Sequence, residues 1–132
     1  MTEYTLTHPY KPMTVNKART VHHMARAKHD EEWRGVFHLL ALNAGIPPLD
    51  VIAVTVGQEL RNRAHIPDIG GCFPSVKAAV DGLVDAGVIP DDDPQHLVLL
   101  VFTAPVVTGR DAVTLRIRPV AGEDLDLEAV AS

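Results

Sequence analysis

Gly45-Ile46-Pro47-Pro48 constrains this 132-residue chain more than any other stretch, because a helical pattern gives way there to a strand pattern. Before it, Trp33, Val36, Phe37, Leu40, Ala41 and Ala44 recur at i, i+3, i+4, i+7 spacing, one face of a helix starting near Val21. Gly45 is a natural helix stop, and the two prolines forbid continuation. After it comes DVIAVTV at 50–56, a β-branched run that reads as a strand.

The same alternation follows. A second helix is predicted from Pro74, with Val76, Val80, Leu83 and Val84 as its buried stripe and Gly87 as its end. HLVLLVFTAPVV (96–107) reads as a strand, apolar enough to be central. AVTLRIRPV (112–120) alternates, and TGRD between the two predicts a hairpin. Residues 4–15 read as extended, with Pro9 and Pro12 excluding helix, and 57–72 as a long polar loop. The expected fold class is α/β (α+β): one domain over 1–120 with a small mixed β-sheet and helices packed on it, then an acidic tail at 121–132.

Composition narrows the classes. No apolar run nears the roughly 18 residues that cross a membrane, and Met1-Thr2-Glu3-Tyr4 lacks a signal-peptide pattern. One cysteine, Cys72, permits no internal disulfide, so a cytoplasmic setting is expected. The net charge of −5 is unevenly spread. Residues 1–66 hold eight Lys/Arg against six Asp/Glu; residues 67–132 hold four against eleven. A basic surface beside an acidic centre suits a protein that handles phosphate through bound cations.

Two constellations could carry that chemistry. Asp68 ends one loop, and Asp91, Asp92 and Asp93 begin another, with the second helix between them. Such a helix spans about 20 Å, so the loops meet only if the chain after Gly87 doubles back. Aspartates converging from separate loops suit Mg²⁺, which takes one or two carboxylates and completes its shell with water and phosphate. The plainer reading is a solvated acidic turn, and composition alone favours it. Lys77 either neutralises phosphoryl charge or pairs with Asp81 at i+4. Arg19, His22, His23, Arg26, Lys28, Arg61 and Arg63 are candidate DNA backbone contacts; the alternative is a solvated helix face laced by Asp30, Glu31 and Glu32. His22 and His23, as neighbours on a helix, are expected to point apart. Cys72 reads as a small buried hydrophobe rather than a nucleophile.

The order of these motifs resembles the RusA-type Holliday-junction resolvases, especially shorter phage and prophage homologues. The likeness is carried by KPMTVNKARTVHHMARAKHDEEWR, by PDIGGCFPSVKAAVDGLVDAGVIPDDDPQH and by the apolar strand after it. It implies a homodimer in a bacterial or phage-infected cytoplasm, a four-way DNA junction as partner, and symmetric cleavage with Mg²⁺ (Mn²⁺ as alternative). By the resemblance, Asp68 matches the first loop aspartate, Lys77 the helix lysine, Asp81 a structural helix aspartate, and Asp92 or Asp93 the later catalytic aspartate. Asp91 is a further candidate ligand. The chain departs from the pattern at Gly70 and Gly71, where the family has an aspartate and an asparagine. Glycine offers no side-chain ligand, so the alternative is a catalytically degenerate relative that binds junctions or a partner without cutting.

Overall fold

The computed structural model describes residues 2–121. The acidic tail read at 121–132 lies, from Gly122 onward, outside the described residues. The elements run β1 (Tyr4–His8), α1 (Val15–Thr20), α2 (His23–Asn43), β2 (Ile52–Leu60), α3 (Phe73–Asp85), β3 (Leu97–Phe102), β4 (Val106–Val107) and β5 (Ala112–Pro119). This is the mixed α+β architecture the sequence predicts.

The sheet order is β1-β5-β2-β3, and β4 pairs with the far end of β2. β5 runs antiparallel to both neighbours; β2 and β3 run parallel, joined through α3. Two expectations fail here. β3 and β5 form no hairpin, because β2 lies between them. Nor is β3 central: it is an edge strand, half-buried along its whole length. Its apolar run reflects a parallel strand partly covered on both faces, and sequence does not separate that from a central one.

The core lies between one sheet face and the helices. Leu6, Val54, Val56, Leu115 and Ile117 meet Trp33, Phe37 and Ala41 of α2 and Val76, Val80 and Leu83 of α3. On the other face Thr5, Arg116 and Thr55 align across three strands. The helices approach closely at Gly82, where a Cβ would sit 2.4 Å from the Arg34 carbonyl oxygen and 2.9 Å from the His38 nitrogen. Arg34 clamps the same seam, its Nε donating to Asp85 at 2.6 Å and a terminal amino group at 2.8 Å.

Both predicted glycine stops hold. At Gly87, φ is +80°. Its N–H donates to Val84 and that of Val88 to Leu83, each at 3.0 Å, closing α3 in a Schellman turn that reverses the chain. Val88 and Ile89 are then fully buried, which draws the segment after the helix back onto the core. Among the described residues, no helix is long and apolar enough to cross a membrane.

Candidate functional site

The reversal at Gly87 returns the acidic turn to α3. Lys77, in the second turn of that helix, donates from Nζ to Asp92 and also, at 3.0 Å, to Asp81 one turn on. The i+4 pair with Asp81 therefore exists, and Lys77 has a second carboxylate partner from the distant loop. Burial pulls the Lys77 ammonium down, but its two carboxylate partners outweigh that and raise it. The hydrogen bond from Lys77 holds the Asp92 carboxyl below its ordinary value. The result is a partly exposed ion-pair group in which Lys77 bridges Asp81 and Asp92.

The neighbouring aspartates are partly spent on the turn. Asp91 accepts the Asp92 N–H at 2.8 Å, and Asp93 accepts the Gln95 N–H at 3.0 Å. These are local turn bonds that Asp side chains make readily.

Asp68 stands elsewhere. It lines a recess of about 490 Å³ with Thr14, Asn16, His65, Ile69 and the Gly70-Gly71 turn, and neither Lys77 nor residues 91–93 line it. Gly70 sits at φ +80°, and the Gly71 N–H closes the turn on the Asp68 carbonyl at 2.9 Å. A Cβ on Gly71 would meet that carbonyl oxygen at 3.0 Å. The glycines thus serve backbone geometry where the resemblance leads one to expect ligands. Among the described residues, no three His, Cys, Asp or Glu side chains form a group able to hold a metal ion. Of the loop carboxylates, Asp92 is held by Lys77 and Asp91 by the Asp92 N–H, so any cation here would rest on one or two carboxylates and keep most of its water.

The basic candidates divide. Arg19 lies in the last turn of α1, and His22 caps α2, accepting the Met24 N–H at 3.2 Å on Nδ1. Because His22 lies outside the helix, its ring meets that of His23 at 4.3 Å between centroids, so the expectation that they point apart fails. Arg26 lies 3.8 Å from Asp30, and Arg61 lies 3.8 Å from Asp111. Lys28 and Arg63 are exposed and take part in no ion pair among the described residues. Cys72 is buried, and burial pushes its thiol up to about 11, so it is no nucleophile.

One cluster escaped the sequence reading. Ser75, wholly buried, accepts the Met13 N–H at 2.7 Å, and His29 Nε2 lies 2.7 Å from the same oxygen. The Val15 N–H donates to the Gly71 carbonyl at 2.9 Å. These bonds tie the segment before α1 to α2, α3 and the glycine turn. The legible signal was Thr14, an N-cap residue whose hydroxyl accepts the Lys17 N–H and so starts α1 inside a segment read as extended.

No protein-family model matches the chain, and no curated protein does.

Proposed function

We propose that the chain is a RusA-like, Mg²⁺-dependent endonuclease acting on branched DNA as a homodimer, with Lys77 and Asp92 at the centre of its active site. The observation that carries this reading is their direct hydrogen bond, made by residues from a helix and from a loop that returns to it. A plain solvated turn requires no such return. Asp92 and Asp91 would hold the cation, with Asp68, which lines a separate recess, meeting the substrate away from Lys77. When bound, the cation supplies an activated water and neutralises the scissile phosphate.

The chain's own residues then have defined tasks. Asp92 stays ionised because Lys77 stabilises its charge. Lys77, always cationic, offers its ammonium to the phosphoryl oxygens, where negative charge accumulates as the phosphodiester is attacked. Asp81 keeps Lys77 over that side of α3. Exposed Arg19, Lys28 and Arg63 supply backbone attraction that carries no sequence information.

A second reading, a junction-binding relative that does not cut, is favoured by one observation. The turn that would supply ligands is built on a left-handed Gly70 and a crowded Gly71. Binding of a labelled four-way junction and of a linear duplex of equal length, in EDTA, tests both readings together. Tighter binding to the junction that weakens steeply with salt is expected of either; equal binding to the two DNAs contradicts both.

A further inference from the structure

The edges of a sheet carry unpaired backbone groups, and the two edges of this sheet are unlike. β1 forms one edge, where Thr5, Thr7 and His8 supply polar side chains. β3 forms the other, and Leu97-Val98-Leu99-Leu100-Val101-Phe102 holds no polar or charged side chain and no proline. All six residues are only half-buried, and no strand among the described residues pairs with the far side of β3. The ladder to β2 skips Val98 and is regular from Leu99 to Phe102. Val56 faces Phe102, and its carbonyl accepts the Thr103 N–H at 3.0 Å. The N–H and C=O of Phe102 therefore point away from β2, and by alternation so do those of Leu100.

The apolar surface extends past the strand. Phe73, 44% exposed, lies beside Phe102 with 6.3 Å between ring centroids. β4 pairs with the same side of β2 further on, and its Val106 is 59% exposed. Free backbone donors and acceptors along this edge suit an added strand, and the lack of charge selects which one. The acidic segment at 122–132 and the phosphates of DNA both seek cations, and β3 has none. A second copy of β3 needs none. A two-fold axis lays the strand antiparallel to itself, leucine and valine against leucine and valine, with no like charges opposed.

We propose that the chain dimerises through β3, paired antiparallel with the β3 of a second copy so that two sheets become one. The proposal deepens the homodimer part of the reading above and rests on it. An axis perpendicular to the joined sheet keeps α2 and α3 of both copies on one face. The two Lys77–Asp92 groups then lie on the same side of the dimer, where a single four-way junction reaches both, as symmetric cleavage requires.

The test is sedimentation equilibrium of the full chain over a concentration series, with junction cleavage read separately. Val101→Lys is expected to weaken dimerisation at least about ten-fold, because lysine on an edge strand opposes edge-to-edge pairing. Thr5→Lys adds the same charge at an exposed position on the opposite edge and leaves the dimer Kd unchanged. Hydrogen exchange needs no variant and so guards against a folding defect. The Leu100 and Phe102 amides should exchange more slowly as concentration rises through the Kd. A chain that stays monomeric throughout the series overturns the proposal and the homodimer with it, and cleavage by that monomer would leave the nuclease standing. A dimer that Val101→Lys does not weaken, with Leu100 and Phe102 exchanging at the same rate at every concentration, sinks the β3 seam alone.

Discussion

Lys77 and Asp92 stand fifteen positions apart in the chain, yet their side chains are hydrogen-bonded across the gap between α3 and the loop that follows it. The Schellman turn at Gly87 and the burial of Val88 and Ile89 bring them together. Lys77→Ala is expected to cut junction cleavage far more than junction binding, because one ammonium among many cations adds little to affinity. Both side chains are partly exposed, so the folded state should lose less than about 1 kcal/mol. Cleavage rates and Kd measured side by side check this; equal losses in the two would make Lys77 a binding residue only.

Gly82 is the point where α2 and α3 touch. A methyl group there meets the backbone of Arg34 and His38, which cannot swing aside as a side-chain tip can. Gly82→Ala should destabilise the fold by about 1–3 kcal/mol in urea unfolding. Gly35→Ala, in α2 with nothing within 4 Å of the new carbon, should instead stabilise by up to about 1 kcal/mol through helix propensity. Equal effects at both positions would contradict the close approach.

Gly70 holds the turn beside Asp68 at φ +80° with open space around it, so strain rather than collision governs substitution. Gly70→Ala should cost about 1 kcal/mol, and Gly70→Asn less, because Asn visits this backbone region more readily. Thermal unfolding of the two variants checks the order.

Much of the fold was legible because the chain marks its breaks with Gly45, Pro47-Pro48, Pro74 and Gly87. The stripes on α2 and α3 were equally plain, and Phe37, Val76, Val80 and Leu83 are buried as expected. Strand pairing was not legible. The turn at Gly109 suggested a hairpin, but β5 pairs with β2 and β1, and no local signal reveals which strand lies between two others. Within the site, Lys77, Asp81 and Asp92 were readable from spacing and resemblance. The Ser75–His29–Met13 cluster was not, since it joins residues up to 62 positions apart through one hydroxyl.

That cluster has a pH signature. Burial lowers both His8 and His29 below the ordinary histidine value of 6.5, and the two repel each other's charge at His8. The folded state therefore binds fewer protons than the unfolded chain once the pH drops below about 6.5, and stability falls with it. Asp85 and Asp92, held low by Arg34 and Lys77, contribute stability that is lost only below about pH 4, a separate window. Urea midpoints should drop between pH 7.5 and 5.5, and the drop should shrink in His29→Gln. An unchanged drop in that variant would remove His29 from the account.

The most direct measurement of the central claim is cleavage of a labelled synthetic four-way junction with Mg²⁺ and with Mn²⁺, comparing the native chain with Asp92→Asn and Asp68→Asn. Symmetric nicks by the native chain, lost in Asp92→Asn and reduced in Asp68→Asn, are the predicted result. Binding of the junction without nicks in either metal would contradict the nuclease reading and leave a junction-binding protein whose glycine turn has replaced its ligands.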